Sequence, residues 1–210
     1  MENILLPQLT PEELRVLGVL IEKSRTTPDY YPLTLNALIT ACNQKSARHP
    51  VVEYEQDTVL EAIDGLKKKM LLANVLGDGR TVKYRHTIAV KYPLDPSEIT
   101  ALGLLFLRGP LTLGEIKNMS GRMYDYEDLE EVQKVLNALG SAEAPFIAQL
   151  ERKSGQKESR YYHLFADKPD FMEEVSVHAS GSKMQEMEER VAHLEAQVAE
   201  LKKLFDDFMN

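Results

Sequence analysis

The fold is decided by residues 9–20, which read LTPEELRVLGVL and are echoed 85 residues later. The second copy, residues 94–105, reads LDPSEITALGLL. Each copy has a residue that can cap a helix, a proline at the first helical position and a glutamate at the third, which together mark a helix start. Apolar residues then recur at spacings of three and four, so each copy predicts a helix with one buried face.

The echo continues beyond these helices. The tetrapeptide PLTL at residues 32–35 returns at 110–113, and the apolar positions of the next helix also correspond. Those positions are Val59, Ile63 and Leu66 in the first copy and Val132, Leu136 and Leu139 in the second. The offsets of 85, 78 and 73 shrink in small steps, as loop-length changes would produce. We therefore interpret the sequence as two copies of one small domain.

The periodicity indicates three helices and then a hairpin in each copy. In the first copy we expect three helices. The first covers residues 11–23, the second is capped by Thr34 and ends near Cys42, and the third covers residues 55–70. Strands are expected at 72–76 and 81–86. In the second copy we expect helices over 96–108, 113–120 and 127–139, with strands at 145–150 and 159–165. This order is that of a winged helix. The predicted fold class is α+β, mainly α, with tandem winged-helix domains at residues 1–92 and 93–166.

A linker and a helix are expected after the second domain. Residues 167–182 contain Pro169 and Gly181 between serines, which is typical of a linker. Residues 183–210 carry apolar side chains at alternating spacings of three and four, a heptad seam that favours a parallel two-stranded coiled coil and hence a homodimer. The alternative is that this helix folds back on its own chain. The seam residues are Met184, Met187, Val191, Leu194, Val198, Leu201, Phe205 and Phe208.

Composition limits the class of protein. Hydrophobic residues make up 43% of the chain, enough for each domain to bury a core, and the formal net charge is −8. Residues 1–92 contain 12 basic residues (Lys or Arg) and 11 acidic ones (Asp or Glu). The corresponding numbers are 9 and 12 in residues 93–168, and 4 and 10 in residues 169–210. No domain has the strongly positive field of a nonspecific nucleic-acid binder. We find no membrane-spanning run and no signal peptide, and we expect a cytoplasmic protein.

No catalytic or cofactor-binding motif is present. The five histidines lack metal-ligand spacing, and the chain has no Walker loop, CxxC, HExxH or GxSxG sequence. We therefore predict no enzyme activity, no cofactor and no metal. The single cysteine, Cys42, lies in an apolar segment and is expected to be buried. His86 and His163 occupy equivalent strand positions, which shared packing or hydrogen bonding explains better than catalysis.

Winged helices commonly bind DNA through the third helix and the wing. Here the third helices are poor DNA readers, because Asp57, Glu61 and Asp64 share the polar face of the first and five acids crowd the start of the second. The basic residues lie around the wings and the preceding loop, where they suit phosphate contacts or remain solvated. These candidates are Lys45, Arg48, Lys67, Lys68, Lys69, Arg80, Lys83, Arg85, Arg152, Lys153, Lys157 and Arg160.

The sequence resembles the bacterial YceH family over about residues 9–166. The matching motifs are Thr26-Thr27-Pro28, Tyr31-Pro32-Leu33, Cys42-Asn43-Gln44-Lys45-Ser46, Arg48, Pro50-Val51, Leu107-Arg108-Gly109, Arg122-Met123-Tyr124 and Glu158-Ser159-Arg160-Tyr161. The resemblance implies a tandem winged-helix fold in a cytoplasmic bacterial protein, and it implies no specific activity.

Two functional hypotheses remain open. The first is a dimeric DNA-binding transcriptional regulator that uses its basic wings. The second is an acidic adaptor that binds protein segments, as in chromosome-condensing complexes. The motif loop of Asn43, Gln44, Lys45, Ser46, Arg48 and Pro50 either orients a ligand or partner, or is hydrogen-bonded onto its own domain.

Overall fold

A computed structural model describes residues 6–76, 81–142, 144–151 and 158–168. The chain is α+β and mainly helical over these ranges. It divides into two compact units, residues 1–168 and 169–210, and all of the described residues belong to the first. The predicted coiled-coil helix at 183–210 and nearly all of the predicted linker at 167–182 therefore lie outside the described residues.

The same order of elements occurs in both halves of the first unit. The first half contains α1 (Pro11–Thr26), a 3-10 turn (Pro28–Tyr30), β1 (Leu33–Thr34), α2 (Leu35–Cys42), α3 (Gln56–Lys68), β2 (Leu72–Leu76), β3 (Val82–His86) and the short α4 (Ile88–Lys91). The second half contains α5 (Pro96–Arg108), β4 (Leu111–Thr112), α6 (Leu113–Ser120), α7 (Leu129–Ser141), β5 (Ile147–Gln149) and β6 (Arg160–His163). Each half thus places three helices before an antiparallel hairpin.

Each half also builds a three-stranded antiparallel sheet with its last strand in the centre. The orders are β1-β3-β2 and β4-β6-β5. In the first sheet Tyr84 lies opposite both Leu33 and Asn74. In the second sheet Tyr161 lies opposite both Leu111 and Gln149. The two-residue strands β1 and β4 were not predicted. Each consists of the middle Leu-Thr of the repeated PLTL sequence and pairs with the second strand of the hairpin.

The predicted helix starts are confirmed at α1 and α5. The Thr10 hydroxyl accepts a hydrogen bond from the Glu13 amide, and the Glu13 carboxylate accepts one from the Thr10 amide at 2.8 Å. Asp95 and Glu98 make the same reciprocal pair, with the Asp95 amide donating to the Glu98 carboxylate at 2.9 Å. Each pair satisfies amides that a helix end would otherwise leave without partners.

Several element boundaries differ from the predicted ones. Helix α3 ends at Lys68 rather than at 70, because Met70 adopts a left-handed φ of 57° and the Leu71 amide turns back to the Leu66 carbonyl. Helix α7 begins at Leu129 rather than at 127, because Asp128 caps it by accepting from the Glu131 amide. Helix α1 continues three residues beyond its predicted end at 23.

Two glycines allow α1 and α5 to pack closely. A Cβ atom added at Gly18 would lie 2.9 Å from the Leu107 side chain, and one added at Gly103 would lie 2.7 Å from Cγ2 of Ile21. The repeated glycine therefore serves the same contact from both sides. Side chains of any size at these positions would force the helices apart, so the contact depends on the absence of a Cβ.

One hydrophobic core runs through both halves. Its buried residues come from helices and sheets of each half. Main-chain hydrogen bonds also cross between the halves, from the Leu9 amide to the Phe165 carbonyl at 2.6 Å and from the His49 amide to the Leu107 carbonyl at 2.8 Å. The ring of Phe165 is fully buried and contacts the rings of Tyr92 and Phe106 among others. The two copies of the repeat thus share a single interior.

We predict that Gly103→Ala lowers the free energy of unfolding by about 1 to 2 kcal/mol, because overpacking against the buried, β-branched Ile21 outweighs the gain of about 1 kcal/mol in helix propensity. Gly114→Ala is the matched control, since no atom lies within 4 Å of its added Cβ, and it should stabilise the protein. Urea denaturation followed by circular dichroism measures both. Equal effects of the two substitutions would contradict the close helix contact.

Candidate functional site

The motif loop between α2 and α3 is held by the side chain of Arg48. This side chain has no exposed surface, and its guanidinium donates to both oxygens of Glu22, at 2.6 and 3.2 Å. It also donates to the Ala41 carbonyl and, at 2.9 Å, to the Gln44 side chain. Burial opposes ionisation of Glu22, but the bonds from Arg48 hold the pKa of this carboxyl below its usual value.

Further buried hydrogen bonds hold the same loop. Arg15, which is also buried, donates to the carbonyls of Cys42 and Pro50. The Asn43 side chain donates to the Tyr54 carbonyl at 2.9 Å and accepts from the Tyr54 amide at 2.8 Å. Of the two roles left open for this loop, the geometry therefore favours attachment to its own domain. Lys45, Ser46 and Pro50 are the exposed members of the motif.

Other basic candidates have carboxylate partners inside the protein. Lys69 contacts both oxygens of the buried Glu13 at 2.5 and 2.6 Å. Lys67 pairs with Asp64 at 3.2 Å. In the second half the two terminal nitrogens of Arg160 donate to the two oxygens of Glu115, at 2.7 and 3.2 Å. Lys69 and Arg160 are therefore held in half-buried ion pairs, whereas the pair of Lys67 with the exposed Asp64 lies at the surface and is weaker.

Two basic side chains of the first half, those of Lys83 and Arg85, form a strip on β3. Lys83 and Arg85 alternate with the buried Tyr84 and therefore lie on the opposite face of the strand. Arg85 is exposed, as are Lys45 and Lys68 elsewhere on the first half. No ion pair involves Lys83 or Arg85 within the described ranges.

Arg25 joins this strip, although sequence reasoning did not select it. It lies in the last turn of α1, which packs against β3. Arg25 and Arg85 both help to lower the pKa of the His86 imidazole, so both guanidiniums lie within electrostatic reach of this side chain. Arg25 and Arg85 are 60 residues apart in the chain, so only the tertiary structure can bring them near the same side chain. We call Arg25, Lys83 and Arg85 the basic strip.

Acidic residues occupy the exposed faces of the third helices. In α3 the side chains of Asp57, Glu61 and Asp64 are all exposed. At the start of α7 the Glu131 carboxylate accepts from the Tyr124 hydroxyl and from the Glu127 amide, so it holds the turn before the helix. Carboxylates on these faces repel phosphate groups, so neither third helix has the surface of a DNA-reading helix.

His86 and His163 take equivalent places at the ends of β3 and β6. Burial lowers the pKa of each imidazole to about 4, and Arg25 and Arg85 add to the effect at His86. Nε2 of His86 lies 3.3 Å from the Ser24 hydroxyl, while His163 packs edge-on against Phe106. Their shared feature is a neutral, buried ring. This observation agrees with the packing role expected for them.

The remaining sequence predictions concern single residues and absences. Cys42 is buried and is a free thiol, as expected. In the ranges that the structure describes, no group of three or more His, Cys, Asp or Glu side chains is placed to hold a metal ion. No helix among the described residues has the length and apolar character needed to cross a membrane. The candidates Arg80, Arg152, Lys153 and Lys157 lie outside the described residues, as do all eight predicted seam residues.

Comparison with known proteins identifies the family. Residues 9–156 match the family model described as "Protein of unknown function, DUF480". A UPF0502 protein of Geotalea uraniireducens is 46% identical over 95% of this chain and 96% of its own length. One from Geobacter sulfurreducens is 45% identical over 92% and 90%, and one from Shewanella piezotolerans 38% over 97% and 98%.

The chain belongs to the UPF0502 (DUF480) family. The resemblance to the YceH family, drawn from the motifs, is thereby confirmed. The family description and the names of these relatives state no enzymatic activity, ligand or partner. The function must therefore be argued from the surfaces of the protein itself.

We predict that acid destabilises the protein through His86 and His163. Their folded pKa of about 4 lies below the unfolded value of about 6.5, so the unfolded chain binds more protons between these values. The stabilising effect of the neutral rings is complete above about pH 6.5 and is lost as the pH falls towards 4. At pH 5 each ring should cost about 2 kcal/mol of stability.

The measurement is urea unfolding at pH 7.5 and pH 5.0. His86→Gln and His163→Gln should each reduce the loss between these two values by about 2 kcal/mol. His49→Gln is the control because the His49 side chain is exposed, and it should leave the loss unchanged. An identical loss in all four proteins would contradict the role given to the buried rings.

Proposed function

We propose that this protein is a non-enzymatic tandem winged-helix protein that binds DNA as a transcriptional regulator, with the basic strip of its first half as the contact surface. The observation that carries the proposal is that Lys83 and Arg85 share one face of β3, while Arg25 lies in the last turn of α1, the helix that packs against this strand. Three cations on one surface suit consecutive phosphates of a duplex, and guanidiniums bind phosphate oxygens in pairs.

The winged-helix assignment rests on the order of the elements. Three helices followed by an antiparallel hairpin, with a short strand before the second helix, occur in both halves. In this assignment β2–β3 and β5–β6 are the wings, and the domains are residues 1–92 and 93–166. The hairpin, rather than the third helix, contacts DNA here because α3 exposes three carboxylates.

The proposed interface leaves out several of the sequence candidates. Arg48, Lys67, Lys69 and Arg160 have carboxylate partners, and a phosphate would have to compete with these bonds. Lys45 and Lys68 are exposed and can add to the positive field near the strip. The charged surface is therefore smaller than the sequence suggests, and we expect modest, salt-sensitive affinity.

We also propose that the protein acts as a homodimer. The heptad seam of residues 183–210 would pair two chains in parallel and so place two basic strips on one duplex. Two copies of a weak contact bind more tightly than one, because the second contact forms at a high effective concentration.

The second candidate function is that of an acidic protein-binding adaptor. The exposed carboxylates Asp57, Glu61 and Asp64 on α3 favour it, since they repel DNA and attract basic protein segments. The two hypotheses differ in what binds the first half. Binding to DNA at low salt therefore separates them.

We predict that the protein binds random duplex DNA at low salt with a slope of log K against log salt of about −3, because each phosphate contact contributes about −0.9. Arg25→Ala, Lys83→Ala and Arg85→Ala should each bring the slope about 0.9 closer to zero. Lys134→Ala is the matched control, since it removes an exposed cation from α7 in the second half.

Fluorescence anisotropy at a series of salt concentrations measures these slopes. An unchanged slope for Lys134→Ala together with reduced slopes for the three strip variants supports the proposal. Equal effects of all four substitutions would assign binding to overall charge rather than to the strip. Absence of binding at low salt would favour the adaptor.

A further inference from the structure

The second half contains an open groove that the proposed DNA contact does not use. It has a volume of about 430 Å³ and lies where the starts of α6 and α7 face β5 and β6. Leu113, Leu129 and Tyr161 supply its apolar surface. Leu129 is 52% exposed, so its side chain is available for contact with a ligand in the groove.

The rest of the groove is polar and acidic. Glu130 and Glu158 are exposed carboxylates along its lining, and Gln133 contributes an amide that donates to the Tyr161 hydroxyl at 3.2 Å. This hydrogen bond fixes the tyrosine ring as one wall. The second half as a whole carries 9 basic and 12 acidic residues over 93–168. Within this lining, the apolar side chains are therefore bordered by two carboxylates.

Gly114 keeps one side of the groove open. It lies in the first turn of α6, and a Cβ added there would meet no atom within 4 Å. By contrast, the glycines in α1 and α5 are required by close helix packing. The fold itself therefore does not require glycine at this position, since alanine is a better helix former. Because Gly114 lines the groove, a larger side chain at this position would extend into open space at the groove.

We propose that this groove docks a segment of a partner protein that carries an apolar anchor side chain flanked by lysine or arginine. The apolar anchor removes the exposed surface of Leu129 from water, and the flanking cations face Glu130 and Glu158. Nucleic acid is the less suitable occupant, because its phosphates would approach two carboxylates. The groove binds its segment independently of any DNA contact made by the first half.

A groove of this size suits one large side chain and the backbone around it. Glutamines in the lining offer hydrogen bonds to an extended backbone, while the apolar floor selects the anchor. In this proposal the first half of the repeat binds DNA through the basic strip, and the second half binds a protein segment in the groove. The second half then recruits a partner to the site that the first half occupies.

The test is selection of random 12-residue peptides displayed on phage against the full-length protein. We expect enriched peptides to contain Leu, Ile, Met or Phe beside Lys or Arg. Synthetic copies should bind Gly114→Leu at least tenfold more weakly than the original protein, because the leucine fills the groove. Gly114→Ala, which adds only a methyl group to open space, is the matched control and should change affinity less than twofold.

A second arm tests the charges. Glu130→Gln combined with Glu158→Gln should weaken the selected peptides several-fold, whereas Asp57→Asn, on the exposed face of α3, should not. Circular dichroism and thermal unfolding establish that each variant is folded before its affinity is compared.

Three results would overturn the proposal. The first is that no peptide is enriched, or that the enriched peptides are acidic or lack an apolar residue. The second is that Gly114→Leu binds the selected peptides as tightly as the original protein does. The third is that the amide signals of Gly114 and Gln133 in ¹⁵N NMR spectra respond to duplex DNA, or to protein concentration alone, rather than to the peptides.

Discussion

The contact between α1 and α5 is the constraint on which the rest of this structure depends. Gly18 and Gly103 hold equivalent places in the repeat, and each admits a side chain of the opposite helix. Because the same residue is needed on both helices, one repeated sequence produces a reciprocal interface. That interface joins two small helical trios into one core, which buries more apolar surface than either half could bury alone.

Charge is arranged around this core so that most cations serve the fold. Glu22 holds Arg48, Glu13 holds Lys69, and Glu115 holds Arg160, the first two of these in partly or fully buried positions. Breaking a buried pair of this kind leaves an uncompensated charge, which is costly. On the first half Arg25 and Arg85 are exposed and Lys83 is half-buried, and Lys83 and Arg85 share one face of the central strand β3. The cations that have no carboxylate partner among the described residues are therefore the ones available to bind a ligand.

Much of the fold could be predicted from the sequence because its signals are local. The Thr10 and Asp95 caps, the proline after each, and the change of period from about 3.6 to 2 all report on neighbouring residues. The end of α3 at Lys68 was missed because the left-handed Met70 decides it, and the start of α7 was misplaced because Glu127 and Asp128 are neighbouring acids that could each lie at its start. The shared core was missed for a different reason. A glycine in an amphipathic helix does not reveal which helix it faces.

The candidate surfaces were only partly predictable for the same reason. Lys83 and Arg85 were found because alternation along a strand assigns them a face, whereas Arg25 joins them only through tertiary packing. Arg48 was chosen as a cation, yet its partner Glu22 lies 26 residues away. The groove beside Gly114 has no sequence signature, since its lining comes from four elements and the residues before β6.

The most direct test of the shared core is hydrogen exchange, measured by mass spectrometry, across a series of urea concentrations. Amides of α2 and α3 in the first half and of α6 and α7 in the second should lose protection at one midpoint and with one m-value, because a single interior unfolds as one cooperative unit. Two separate midpoints, one for each half, would contradict the account.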